Sequence, residues 1–243
     1  MAAGILLLAA IAAGLYMITG KLHSSGGLVA VSNDESNPLT ISLSDGSFVS
    51  LNKGAHLEYP EKISQMAREV TLSGEAFFEI KPDPLKPFIV HTSSASIKVL
   101  GTSFNVSAYN HSEEVKVIVE TGKVELQPAF RGSQKIILEK GNFGSYHMNN
   151  SAAIKGNNTD INYLSWKTRV LRFDDTPLQE VIAVLSRTYH SEIDISSPEL
   201  KKCRFTGTFS EESLDTVIKV LQTAFRLKID SKDKKTLLSG KGC

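Results

Sequence analysis

The hydrophobic pattern divides the chain into unlike parts. Residues 1–19 carry no charged side chain: Leu6, Leu7, Leu8, Ile11, Leu15 and Ile18 supply the bulk, and the first charge is Lys21. At about 1.5 Å per residue such a run reaches roughly 28 Å, close to the ~30 Å of a bilayer's hydrocarbon core. A secretory signal peptide would begin with basic residues and have a shorter apolar stretch, and a buried globular helix would be apolar on one side only. The pattern therefore predicts a transmembrane helix over residues 1–21. Residues 22–38, polar and containing Ser24-Ser25-Gly26-Gly27, read as a juxtamembrane linker.

From residue 39 the period changes. Short runs rich in Val, Ile, Thr, Phe and Tyr are broken by Gly, Asp, Asn and Pro, the signature of strands and turns. Residues 40–43 and 48–51 flank Asp45-Gly46 and predict a hairpin. Further strands are expected at 69–72, 75–80, 88–92, 97–100, 103–109, 115–120, 123–127, 136–138 and 143–146. Only residues 63–68 hint at a helical period. Residues 39–147 thus predict an all-β sandwich or roll, and residues 148–162, almost without bulk, a linker.

The last region, 163–243, contains an internal repeat. Phe173, Leu178, Val181, Ile182 and Leu185 recur as Phe209, Leu214, Val217, Ile218 and Leu221, and the match continues from Tyr189 to Phe225 and from Ile193 to Ile229. Leu178, Val181, Ile182, Leu185 and Tyr189 fall at i, i+3, i+4, i+7 and i+11, one face of a helix. Thr176 with Gln179 has the spacing of a capping box, and Pro177 suits the first helical position. Strands expected at 169–173 and 204–209 precede the two helices; strands at 192–195 and 227–230 follow them. The expected result is a small α+β domain of two β-α-β units, with both helices on one face of one sheet.

Composition adjusts this picture only in part. The chain has 243 residues, 41% of them hydrophobic, with Lys and Arg exceeding Asp and Glu by one. That balance lacks the concentrated basic charge that duplex nucleic acid demands, so any effect on transcription should pass through a protein. Cys203 and Cys243 are separated by a whole predicted β-α-β unit with no C-x-x-C. They are expected to assemble neither a disulfide framework nor a zinc site, leaving packing to hold the domains together.

Candidate chemistry is sparse. His23, His56, His91, His111, His147 and His190 are scattered singly and read as surface or packing residues. Ser50-Leu-Asn-Lys53 has the S-x-x-K spacing but falls at a strand end rather than a helix start. Asp174-Asp175 is expected to complement the positive end of the following helix. Gly46, Gly74, Gly101 and Gly122 lie at strand boundaries, where a positive φ or a bulge is needed. Phe77, Phe78 and Phe104 are expected to fill the core. Glu75 and Asn105 are polar residues within apolar motifs and must find hydrogen-bond partners, so they are expected to tie turns together. No nucleophile-base arrangement, cofactor motif or metal spacing emerges, and the chain reads as non-catalytic.

Four segments in order, Leu43-Ser-Asp-Gly-Ser-Phe-Val-Ser-Leu-Asn52, Arg68-Glu-Val-Thr-Leu-Ser-Gly-Glu-Ala-Phe-Phe-Glu-Ile80, Pro87-Phe-Ile-Val-His-Thr92 and Val99-Leu-Gly-Thr-Ser-Phe-Asn-Val106, resemble the motifs of FecR-type proteins. The block containing Glu120-Thr-Gly-Lys-Val124 fits the same pattern. Residues 166–230 resemble the C-terminal domain found in Bacteroidetes-type members, itself similar to the front domain of secretins and TonB-dependent transducers. Within this resemblance Asp45, Gly46, Gly74, Glu75, Phe77, Phe78, Gly101, Thr102, Phe104, Asn105 and Gly122 are motif positions with structural roles.

The resemblance implies an anti-sigma factor, or sigma factor regulator, spanning the inner membrane once with its C-terminal domains in the periplasm. Such a protein relays a signal, for example in iron or nutrient uptake, from an outer-membrane TonB-dependent transducer to an extracytoplasmic-function sigma factor. The sigma factor would be met by a cytoplasmic segment that this sequence does not contain. Edge strands of the second domain are the expected docking sites for the transducer, around Arg204, Phe205, Thr206 and Thr208 or around Leu227, Lys228 and Ile229. The alternative is a membrane-anchored periplasmic module that binds a ligand or glycan, or serves assembly, without catalysis.

Overall fold

The computed structural model describes residues 27–63, 68–130, 132–148, 152–232 and 235–243. The expected transmembrane helix lies outside them, and among the described residues no helix is long and apolar enough to cross a membrane. The protein is rich in β-structure, with few helices.

Thirteen strands build the first domain: β1 (Leu28–Asn33), β2 (Leu39–Ser42), β3 (Phe48–Leu51), β4 (Ala55–Pro60), β5 (Arg68–Glu79), β6 (Phe88–His91), β7 (Ala95–Val99), β8 (Ser103–Ala108), β9 (Glu114–Thr121), β10 (Lys123–Pro128), β11 (Ile136–Glu139), β12 (Asn142–His147) and β13 (Ile154–Asn157). The long strand β5 serves two sheets. Its first half pairs with β4 and with β6, in the order β1-β4-β5-β6-β7-β10-β11. Its second half pairs with β3 and β8, in the order β2-β3-β5-β8-β9-β12-β13. The changeover comes at Gly74, whose φ is +97° and where a Cβ would lie 2.6 Å from the Ala55 Cα. Only glycine permits both that backbone and that approach.

Strict alternation decides what each sheet buries. Ala76, Phe78 and Ile80 of the β5 segment, Phe104, Val106 and Ala108 of β8, and Val115, Val117 and Val119 of β9 enter the core. Phe78 stacks on Phe104 with ring centroids 5.1 Å apart and meets Phe88 edge-on at 6.2 Å, tying the two sheets together. The residues between them, Glu75, Phe77, Asn105, Ser107, Lys116 and Ile118, face outward. Phe77 is therefore not in the sandwich core as expected; it is buried under the second domain, with the Lys167 ammonium 4.7 Å above its ring.

Both linkers contain strand. Residues 28–33 pair with β4 along their whole length, and β13 adds to β12 as an edge strand. β13 has little bulk to bury and is held chiefly through its backbone, which explains why a hydrophobic pattern passes over it. The hinted helical period at 63–68 falls mostly outside the described residues, and Arg68 opens β5.

The second domain contains α1 (Ser165–Thr168), β14 (Val170–Pro177), α2 (Leu178–Tyr189), β15 (Glu192–Ile195), α3 (Pro198–Lys202), β16 (Arg204–Ser210), α4 (Leu214–Phe225), β17 (Lys228–Lys232) and β18 (Lys235–Ser239). The repeat extends to the backbone. Asp175 and its counterpart Glu211 both have positive φ, and His190 and Arg226 close α2 and α4 with the same left-handed conformation, φ 52° and ψ 44°. The expected single sheet is instead two. The first strands of the repeats, β14 and β16, pair antiparallel; the second strands flank β18 in the order β15-β18-β17. The C-terminal strand is thus the centre of its sheet. Leu238, fully buried, fills the space between the two repeat strands.

Three local expectations also change. Pro177 is the residue before α2 and its ring has no polar atom with which to cap, while the hydroxyl of Thr176, the expected cap, is engaged with the Asp174 backbone. The second helix is capped by a side chain, with Ser213 accepting from the Thr216 N–H at 3.1 Å. Asp175 sits at the irregular part of β14 and pairs with Arg204 at 2.8 Å rather than with the helix end. Cys203 and Cys243 are joined in a disulfide, with Cα atoms 5.7 Å apart. The long sequence separation concealed it: α3 delivers Cys203 to the core, and the chain returns past β18 to the same place.

Candidate functional site

The second domain sits on the outward face of the β2-β3-β5-β8-β9-β12-β13 sheet. Arg169 reaches back to the Ser36 carbonyl at 2.7 Å and the Asn37 side-chain oxygen at 3.0 Å. Lys167 lies 3.4 Å from Glu79, and the Tyr163 hydroxyl donates to Glu120. Between these anchors is a cleft of about 310 Å³.

On the sandwich side, the Glu75 carboxylate accepts from Asn52 Nδ2 at 2.7 Å and from Asn105 Nδ2 at 2.8 Å. Asn52 Oδ1 in turn faces His190 Nε2 at 2.9 Å, which assigns the proton to that ring nitrogen. A chain of polar contacts thus runs from Asn105 through Glu75 and Asn52 to the helix end of the other domain. The expectation that Glu75 and Asn105 tie turns together holds for Glu75, whose backbone carbonyl also accepts from the Asn52 N–H. It misses the contact across the domains.

Trp166, on the four-residue α1, and Arg187 and His190, at the end of α2, form the opposite wall, with Asp160 and Tyr163 preceding them. Arg187 binds Asp160 at 2.7 Å. Ser165 is hydrogen-bonded to Thr188 at 2.5 Å, which fixes α1 against α2. Two buried polar atoms of the cleft have no protein partner: Asn105 Oδ1 and Trp166 Nε1.

Burial pushes the Glu75 carboxyl above its usual 4.5, against the opposing pull of Asn105, Asn52, Arg187 and Trp166. Burial also raises the Tyr109 hydroxyl, with the Glu75 charge acting in the same direction. Burial lowers His190 below 6.5, and Lys53 and Arg169 add to this. The Glu75 and His190 shifts act oppositely on stability. The native state retains the Glu75 proton where the unfolded chain has released it, so stability falls as the pH rises above 4.5; for His190, stability is lost as the pH falls below 6.5. Urea midpoints measured across pH should therefore lose the first slope in Glu75→Gln and the second in His190→Asn. Unchanged slopes in both variants would contradict these assignments.

The other motif positions make local contacts within the first domain. Asp45 accepts from Ser47 and pairs with the buried Arg68 at 3.0 Å, beside the turn at Gly46. Thr102 donates to the Lys123 carbonyl at 2.9 Å, while Gly101 packs on Pro82 and Gly122 on Thr102. The expected edges are present: β16 pairs only with β14, and β17 only with β18, among the described residues. On them Arg204, Thr206, Thr208 and Lys228 are exposed and Ile229 is half-buried, but Phe205 and Leu227 belong to the core. No group of three His, Cys, Asp or Glu among the described residues is placed to hold a metal ion.

Residues 30–125 match the family model of FecR protein, and residues 170–238 that of the FecR C-terminal domain. Two crystal structures of a candidate anti-sigma factor from Parabacteroides distasonis, at 2.50 Å and 1.65 Å, share 30% sequence identity and a TM-score of 0.67 with this chain. The matches cover 89% and 88% of this chain and all of the other. The chain belongs to the FecR family. The anti-sigma factor family is regulatory rather than catalytic. No curated protein matches the chain in sequence. Of the cleft residues, Glu75 and Asn105 were visible as motif positions. Asn52 closes a motif segment without standing out in it, and Trp166, Arg187 and His190 gave no signal, because they meet the first domain only when the two domains dock.

Proposed function

We propose that the protein is an anti-sigma factor that spans the inner membrane once and relays a periplasmic signal from an outer-membrane TonB-dependent transducer to an extracytoplasmic-function sigma factor. The observation that carries this reading is the match of both FecR domains, together with the likeness over the whole of a candidate anti-sigma factor. The uncharged, largely apolar run of residues 1–19 supports the membrane anchor by its length.

Binding at the transducer end would proceed by strand addition at β16 or β17, since each has a side without a strand partner among the described residues. Relay further requires that the bound and free forms differ in affinity for the sigma factor. Immobilised full chain should capture the N-terminal signalling domain of its transducer from solution. Absence of capture at high concentration of that domain would remove the transducer step from the proposal.

A further inference from the structure

We propose that the end of the sandwich at which β1 begins rests on the phospholipid interface of a bilayer, with Leu85 inserted among the headgroups. The inference rests on the membrane anchor of the proposed function. With that anchor in the bilayer, residues 22–27 at about 3.5 Å each keep Leu28 within roughly 25 Å of it. Leu28 opens β1 and is 77% exposed, and the Gly27 carbonyl accepts from the Glu61 N–H at 2.9 Å. Hydrogen bonds join this end to the turn at residues 83–86. The Ile63 N–H donates to the Ser44 hydroxyl at 3.1 Å. Beside it, Arg68 donates to the Asp45 carboxylate at 3.0 Å and to the Lys81 and Lys86 carbonyls at 2.8 Å and 2.9 Å.

The turn holds an apolar side chain in the open. Asp83 Oδ1 accepts from the Leu85 N–H at 3.1 Å, the Asp83 carbonyl accepts from the Lys86 N–H at 3.3 Å, and Pro84 fixes the backbone between them. Its base is fixed too. The Asp83 N–H donates to the Leu100 carbonyl at 2.8 Å, and a Cβ on Gly101 would lie 2.5 Å from the Pro82 Cα. At the tip Leu85 is 89% exposed, more than any other large hydrophobic side chain among the described residues, and contributes nothing to the core.

A lone exposed leucine is ordinary; the surroundings give this one a partner. Leu28 and Leu100 are exposed at the same end, Lys81 and Lys86 flank the turn, and Lys62 is exposed next to Glu61. An apolar tip among ammonium groups matches the boundary between acyl chains and phosphates, where lysine stems lie along hydrocarbon and their heads reach the phosphates. Glu61 offsets one of these charges, so the apolar contact rather than net charge carries the binding.

Cys203 and Cys243 are joined to each other, so a cysteine introduced into the full chain reacts alone with a maleimide fluorophore. Leu85→Cys, Phe130→Cys and Ile18→Cys would be labelled and reconstituted into vesicles of phosphatidylethanolamine and phosphatidylglycerol, with and without phosphatidylcholine bearing a nitroxide high on its acyl chain. Phe130 is the control: it is 57% exposed but follows β10 at the far end, where Pro128 faces Ala95. The probe at position 85 should emit further to the blue than the probe at position 130, and the nitroxide lipid should quench the first and spare the second. Quenching at position 18 but not at position 85 would overturn the inference and leave the anchor standing. Quenching at neither would remove the anchor and the inference with it. Blue-shifted but unquenched emission at position 85 would put a protein, such as a second copy of this chain, in place of lipid and overturn the inference equally.

Discussion

Replacing Cys243 by Ser is expected to destabilise the second domain by about 4 kcal/mol, the chain-entropy value for a closed loop of this size. The disulfide to Cys203 spans a sequence separation of 40 residues and encloses β16, α4, β17 and β18. Without it, the unfolded chain regains the freedom of that whole loop. Cys203 would remain a small buried group among Leu200, Leu227 and Leu238, so packing should change little. Urea unfolding of wild type and variant, with and without reductant, measures the difference. The wild type should fall to the variant's midpoint on reduction, and coincident curves without reductant would show that the bridge contributes nothing.

Phe78→Ala should be nearly as damaging to the sandwich, at about 3–5 kcal/mol. Phe78 is fully buried and touches Phe88 of one sheet and Phe104 of the other. Its loss leaves a cavity where β5 passes between sheets, lined by side chains that belong to both. Phe77→Ala, one residue away, tests a different contact. Phe77 faces the second domain under Lys167, so its loss should loosen domain docking more than it destabilises the sandwich.

The contrast between Phe77 and Phe78 shows how far the sequence could be read. Alternation along β5 is explicit in the sequence, but which face is the core and which is an interface depends on a domain packed from a hundred residues further on. The same limit applies to the cleft. Glu75 and Asn105 were conspicuous as polar residues in apolar motifs, whereas the half-buried His190 and the buried Trp166 gave no local signal, because nothing near them in sequence shows that they face the other domain.

The repeat was the most legible feature, since Leu178, Val181, Ile182 and Leu185 keep their spacing in the second copy. Its sheets were misjudged for a specific reason. Two β-α-β units suggest one shared sheet, but β18, which belongs to neither copy, inserts between β15 and β17 and leaves β14 and β16 to pair apart. The disulfide was missed on related grounds: sequence separation hides the proximity that α3 and the final turn create. Strands with few apolar residues, such as β13, remain invisible to hydrophobic patterning because backbone pairing, not side-chain burial, holds them.

The most direct test of the proposed regulation is transcription from the cognate sigma-dependent promoters in cells lacking the gene, measured with and without the inducing signal. An anti-sigma factor that relays a signal predicts expression that no longer responds to the signal in the deletion strain, with the response restored by the wild-type gene. Signal-dependent expression that persists unchanged in the deletion strain would contradict the account.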